Sequence, residues 1–377
     1  MKTFLPFLCF ALCSLAAAAQ VITLPPSGGN QKSSVTQWVG LASVTITYNS
    51  PDVHGPSGED RTGHIWGELV HYGFIDQGYG TSKAAPWRAG ANENTTITFS
   101  HDVKVQGKDL KAGTYGLFLL VEKDGPWTWI FSRNTSHWGS YFYDAKADVL
   151  RVETTPQEAP YTEWLTYGFD ERLPNATLAF LQWEKKRVPM KIEVPGVDEL
   201  YVEKMKGQLM GTTTGFRYQG WMEAAQFCAQ RKIHLEEALA WADSAISQPF
   251  FGQENFNTLQ TKAQVLIAMG KDDQADEVMQ KAIKHSTATT QAVHQYGRNL
   301  LAAGKNEKAL AVFKLNRQLH PEDNFTTYVG LARGYAALGD RKNAVKNWEL
   351  ALKHLPGNQR QNLSYYEGEL KKLKEGV

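Results

Sequence analysis

Three glycines, Gly270, Gly304 and Gly339, fall 34 and 35 residues apart in the last third of this 377-residue chain, and that spacing constrains its fold more than any other feature. Ala275, Ala309 and Ala344 keep step, each five positions further on, and Pro321 and Pro356 add a third register 35 apart. A glycine ends a helix by entering the left-handed region, a small residue lets two helices approach closely, and a proline stops the helix that follows. The repeat therefore predicts stacked helix pairs at about 255–287, 289–323 and 324–357. A degenerate earlier copy, from Trp221 through Leu235 and Ala238 to Ile246, brings the expected number of pairs to four. Beyond Asn358 the registers stop, and Leu363, Tyr366, Leu370 and Leu373 suit a closing helix.

These registers resemble the tetratricopeptide repeat. That resemblance implies an α-helical solenoid whose concave face holds a protein or peptide partner, or else an array that only stiffens its neighbour. Lys262, Arg298, Asn299 and Arg333 occupy first-helix positions and are the candidate polar contacts.

Before Pro195 the rhythm changes to period two. Val44, Ile46 and Tyr48 alternate with Thr45 and Thr47, and Ile97 and Phe99 with Thr96, Thr98 and Ser100. Similar runs follow at 114–122, 127–132, 149–154, 162–169, 176–183 and 188–194, separated by Gly107, Gly113, Asp124-Gly125-Pro126 and Pro174-Asn175. No amphipathic helix intervenes. The expected fold class is thus two-domain, β plus α: an antiparallel β-sandwich or jelly-roll-like domain, then the helical array. The expected boundaries are a signal peptide at 1–19, a leader at 20–37, the β domain at 38–195, a linker helix at 196–215 and the repeats at 216–377.

The leader reading rests on Met1-Lys2, an apolar run from Phe4 to Ala16, and the small residues Ala17-Ala18-Ala19 before Gln20. It predicts export, to the periplasm or outside the cell. No later stretch approaches the roughly 18 apolar residues that a membrane helix needs, so no transmembrane segment is expected. Forty Lys+Arg balance 39 Asp+Glu for a net charge of +1, which leaves no field to draw in nucleic acid. Once the leader is removed, Cys228 stands alone, without an internal disulfide, and reads as a small apolar residue on a helix face.

Polar residues crowd between Asp52 and Asn94. Arg88, Asn92 and Glu93 gather around Gly90 in Trp87-Arg88-Ala89-Gly90-Ala91-Asn92-Glu93. As a buried ion pair, Arg88 and Glu93 would lock the loop; as a pocket floor, Arg88, Asn92 and Glu93 would bind a carboxylate or a sugar hydroxyl. Asp52 and His54 are further candidates, and Trp138 is a candidate for stacking on a glycan. An enzyme acting on carbohydrate or envelope material would need a carboxylate pair, Glu93 with Asp52 or Asp76. His64, Glu68 and His71 have the spacing to converge on one helix face as zinc ligands, but Gly63, Gly67 and Gly73 interrupt that helix, so no metal and no cofactor is expected. Eight of the 11 Trp precede Pro195; Trp127 and Trp129 share one strand face and suit the core.

Tyr48-Asn49-Ser50-Pro51, Gly67 with Leu69-Val70 and Tyr72-Gly73, the Trp87–Thr95 segment, Ala112-Gly113 with Tyr115, and Trp138-Gly139 together resemble the bacterial domain-of-unknown-function 2911 family across about residues 38–195. The resemblance implies an exported β domain, common in Bacteroidetes and often followed by helical repeats. It implies no histidine at positions 64 and 71, and no established activity, substrate or cofactor.

Overall fold

A computed structural model describes residues 29–55 and 57–375. The expected signal peptide at 1–19 lies outside the described residues. The chain divides into two compact units at Leu200/Tyr201.

In the first unit every named strand pairs antiparallel. One sheet has the order β1 (Gln31–Val39), β2 (Ala42–Ser50), β3 (Thr96–Phe99), β6 (Gly113–Leu120), β7 (Trp127–Ser132), β8 (Asp148–Thr154). The other has the order β5 (Lys108–Leu110), β4 (Val103–Val105), β10 (Ala176–Glu193), β9 (Gln157–Leu173). The alternation seen in the sequence is the alternation of the pleat. Val44, Ile46, Ile97, Phe99, Leu117, Leu119 and Trp129 of the first sheet are buried in one cluster with Leu165, Tyr167, Leu181, Trp183 and Ile192 of the second, which makes the unit a β-sandwich. Trp127 and Trp129 lie in that core. On the outer face of the first sheet, hydroxyls pair across strands at Ser34/Thr47, Thr36/Thr45 and Thr98/Thr114.

Two strand readings need correction. β1 begins at Gln31, inside the stretch read as a leader, because its inward residues Ser33, Val35 and Gln37 are too polar to mark a core face. β10 is one strand rather than two. The charged run Glu184–Arg187 that suggested a break is a bulge, with Glu184 in the left-handed region at φ 52° and its carboxylate turned inward to accept from Gly63 N at 2.7 Å.

After α1 (Val197–Leu209), the second unit is built of helix pairs: α2 (Tyr218–Arg231) with α3 (Leu235–Ser247), α4 (Phe256–Ala268) with α5 (Asp272–Ala282), α6 (Thr290–Ala302) with α7 (Asn306–Leu319), and α8 (Thr326–Ala337) with α9 (Arg341–Lys353). α10 (Leu363–Glu375) closes the array through Tyr366, Leu370 and Leu373. The repeat glycines act as the spacing predicted. Gly270, Gly304 and Gly339 have φ of 74°, 72° and 76°, and the next residue returns a hydrogen bond five residues back each time: Lys271 to Leu266, Lys305 to Leu300, Asp340 to Tyr335. Ala275, Ala309 and Ala344 are buried at the helix crossings. Cys228 is buried on α2, and burial pushes its thiol up to about 11, so it packs as an apolar residue and is not a thiolate. Among the described residues no helix is long and apolar enough to cross a membrane.

Candidate functional site

The Trp87–Thr95 segment starts against β6, an interior strand of the first sheet. Trp87 exchanges two backbone hydrogen bonds with Leu119 of β6, which fixes where the following loop starts. The loop then makes two left-handed turns, at Ala89 (φ 50°) and Asn92 (φ 56°). Holding an alanine there costs roughly 1–2 kcal/mol, so the surroundings must enforce it. They do: the Ala89 carbonyl accepts from Thr95 Oγ1 at 3.1 Å and from Tyr167 OH at 2.8 Å, and Ala91 N donates to Asn49 O. Burial holds the Tyr167 phenol well above its ordinary range, which keeps it a donor.

This path separates Arg88 from Glu93. Arg88 donates Nη1 to the Asn92 carbonyl at 2.7 Å and lies 5.3 Å from the Tyr141 ring, while Glu93 is exposed and accepts from Asn49 Nδ2 at 2.8 Å. The expected Arg88/Glu93 ion pair is therefore absent, because the turn at Asn92 sends the two side chains apart. Gly139 makes room for Arg88: a Cβ there would lie 2.2 Å from the guanidinium carbon.

Arg88 and Asn92 line a cleft of about 280 Å³ in the β unit, together with Asn30, Arg61, His71, Gln77, Trp87 and Trp183. Trp87 and Trp183 stack with centroids 6.2 Å apart, and Trp66 meets both edge-on. Two polar atoms of the lining residues, His71 Nε2 and Gln77 Oε1, are withdrawn from solvent and have no hydrogen-bond partner among the described residues. Native structures rarely leave such atoms unpaired. His71 reaches this position because residues 61–73 form turns and not the helix that zinc ligation would require. Its Nδ1 meets the Gly73 carbonyl at 3.0 Å, while His64 and Glu68 pair with each other at 2.8 Å on the exposed surface. Burial lowers the His71 pKa, so the ring is neutral at pH 7. Among the described residues no group of three His, Cys, Asp or Glu could hold a metal.

The other sequence candidates lie elsewhere. Asp52 is in a backbone bridge with Trp164, and Asp76 pairs with Lys83 at 2.9 Å. Trp138 is exposed next to Gly139, outside the cleft lining. His54 is bound by Glu163 of β9, whose carboxylate accepts from His54 Nδ1 at 2.9 Å, from the backbone N of Val53 and His54, and from Tyr161 OH. Those donors hold Glu163 down at about 2 and, with the His54 charge, tie down the start of the loop that carries Arg61. No carboxylate lines the cleft, so neither Glu93 with Asp52 nor Glu93 with Asp76 forms a facing acid/base pair. Arg61 and Gln77 were visible only as part of the polar run between Asp52 and Asn94, and His71 only as a candidate metal ligand. The buried Glu184 gave no signal, because a charged residue in a strand reads as solvent-facing.

Residues 30–192 match the model of the family described as "Protein of unknown function (DUF2911)". No curated protein matches the chain. Among solved structures, the helical half is similar to tetratricopeptide proteins. A crystal structure of MamA has 15% identity over 42% of this chain and 88% of its own, with a TM-score of 0.30. YrrB, described as "a TPR protein with an unusual peptide-binding site", has 17% identity over 46% and 89%, with a TM-score of 0.29. A MamA from Desulfovibrio magneticus RS-1 has 18% identity over 43% and 96%, with a TM-score of 0.28.

Proposed function

We propose that this chain is an exported bacterial binding protein, in which the β unit holds a small polar ligand in the Arg88 cleft and the helical array holds a protein. The observation that carries the first part is the pair of unpartnered buried atoms, His71 Nε2 and Gln77 Oε1, in two residues that line a cleft which also offers Arg61 and Arg88. Unpaired buried acceptors cost free energy that a bound ligand returns as hydrogen bonds. The carboxylate-free lining favours binding over glycoside hydrolysis, which uses two carboxylates. Export rests on the apolar leader Phe4–Ala16 and the small residues that follow it.

For the array, the support is a basic surface: Arg298 on α6 and Arg333 on α8 stand one repeat apart, and both are close enough to His294 to depress its pKa. Such a surface suits an acidic segment of a partner. Lys262 does not join it, being paired with Asp243 at 2.7 Å.

The cleft reading is tested by thermal-shift measurement of the full chain against a library of small polar metabolites, with Gly139→Ala as the comparison. At a hundred times Kd a ligand stabilises its site by about 2.7 kcal/mol. Ligands that raise the melting temperature of the wild type and lose that effect in Gly139→Ala, where the new Cβ displaces the guanidinium, support the cleft. A library in which no compound stabilises the wild type, or in which both proteins respond alike, refutes it.

A further inference from the structure

The cleft lining offers two chemically different kinds of group, and together they narrow the ligand class. This inference rests on the cleft reading above. The first kind is cationic. Arg61 and Arg88 both line the cleft, no Asp or Glu does, and the Arg61 guanidinium is 3.8 Å from its neighbour Glu59, outside hydrogen-bond distance. An anion bound here meets two guanidiniums of fork geometry, with the Glu59 carboxylate that pairs with Arg61 at 3.8 Å outside the lining.

The second kind accepts. A neutral imidazole carries one N–H, and in His71 the Nδ1 faces the Gly73 carbonyl at 3.0 Å and must be the donor. Nε2 is then left with a lone pair and nothing to receive. Gln77 Oε1 is a second acceptor in the same condition. A simple carboxylate or sulfate has no hydrogen to give them. A neutral sugar satisfies these acceptors but leaves the guanidiniums without an anion. An amine supplies hydrogens but is repelled by both arginines.

The walls add size. Trp87 and Trp183 belong to a lining around about 280 Å³, at the small end of ligand sites, which typically run to roughly 300–1,000 Å³. That volume suits one sugar-sized skeleton.

We infer that the cleft binds a single polyhydroxylated anion of monosaccharide size, its carboxylate or phosphate group against Arg61 and Arg88 and its hydroxyls donating to His71 Nε2 and Gln77 Oε1. The shared chemistry is an acid group on a hydroxylated carbon skeleton, which a uronic or aldonic acid and a sugar phosphate both offer.

The test is a titration of the full-length protein, followed by tryptophan fluorescence and by the imidazole nitrogen resonances of His71. The probes are D-glucuronate, D-galacturonate, D-gluconate and glucose 6-phosphate, against glucose, succinate and inorganic phosphate as partial mimics. At least one hydroxylated anion is expected to bind at least tenfold tighter than every partial mimic and to shift the His71 Nε2 resonance. The ranking of carboxylate against phosphate probes then identifies the acid group. In His71→Phe that preference over succinate collapses to less than threefold, while residual anion binding persists; in Arg88→Gln the preference over glucose collapses instead. Glucose, succinate or phosphate binding as tightly as the hydroxylated anions overturns the inference, as does binding that leaves His71 Nε2 unmoved. If none of the probes binds, the ligand class is wrong. The cleft reading survives that result when other library compounds still separate the wild type from Gly139→Ala, and falls with it when none does.

Discussion

In the helical half the hydrogen bond that closes the first helix of a pair recurs at Lys271, Lys305 and Asp340, whereas in the β half the Arg88 cleft is assembled once, from segments as far apart as Asn30 and Trp183. The difference lies in where the determinants sit along the chain. A helix pair is specified within about 30 residues, and each copy contacts chiefly its neighbours. The cleft is specified by loops whose positions depend on single anchors. Glu163 and Glu184 reach out of β9 and β10 to hold backbone nitrogens of residues 53, 54 and 63, and Tyr167 and Thr95 hold Ala89. Stability in the helical half is shared among like joints, while geometry in the β half depends on contacts that have no duplicate.

A single joint can still be broken, and this gives the largest expected effect. Phe313 of α7 is fully buried where glycines of α6 and α8 leave room for its ring; a Cβ at Gly297, Gly330 or Gly334 would come within 2.4, 2.6 or 3.0 Å of it. Phe313→Ala empties that space and should cost about 4 kcal/mol, read as an earlier loss of far-ultraviolet ellipticity in urea. A cost below about 1 kcal/mol would mean that the array does not depend on its individual joints, and the contrast with the β half would need restating.

Acid should then separate the two halves. His294, buried on α6 against Phe313, is pushed down to about 4 by burial and by the charges of Arg333 and Arg298, with Asp323 opposing. Its folded pKa lies below the unfolded value of about 6.5, so the unfolded chain takes up the proton first. The stability that follows from keeping it neutral is complete above pH 6.5, shrinks as the pH falls, and has lost on the order of 3 kcal/mol by pH 4. In the β half, the Glu163 pKa is also lowered, from 4.5 to about 2, but in an acid that shift favours the charged form, so its contribution persists until the pH falls below 4.5. Urea unfolding followed by ellipticity between pH 7 and pH 4 should therefore show a midpoint that falls in the wild type and stays flatter in His294→Phe. Equal slopes in the two proteins would remove His294 as the cause.

The same contrast explains what the sequence made legible. Glycine and alanine registers mark the helix turns because a left-handed residue and a close crossing have strong local residue preferences. Period-two alternation marked most strands because one face is buried and the other is not. The strand β1 escaped, since Ser33 and Gln37 face inward, and so did the continuity of β10 across Glu184. In the site, Arg88 and Asn92 were found through an unusual loop composition. Glu93 was misplaced because the left-handed turn at Asn92, which decides where its side chain goes, leaves no mark that spacing alone can reveal. His71 was noticed for a metal geometry it does not have, and its tautomer and its lack of a partner depend on a carbonyl two residues on that only the turn brings into reach.

The smallest expected effect tests whether the degenerate copy shares the joint of the other three. At the end of α2, Lys232 takes the position that glycine holds elsewhere: its φ is 56°, and Ile233 N returns a hydrogen bond to Cys228 O, five residues back, at 3.1 Å. A lysine in that conformation pays a steric cost of about 1 kcal/mol, which glycine avoids, while glycine in turn loses more chain entropy on folding. Lys232→Gly should accordingly stabilise the array by about 0.5 kcal/mol, a small but measurable rise in its denaturation midpoint. The reverse change at Gly304, to lysine, should destabilise by a similar amount, since nothing lies within 4 Å of a Cβ built there and only the backbone conformation resists it. If the two substitutions do not move stability in opposite directions, the turn after α2 is not the joint of the later pairs, and the array begins at α4.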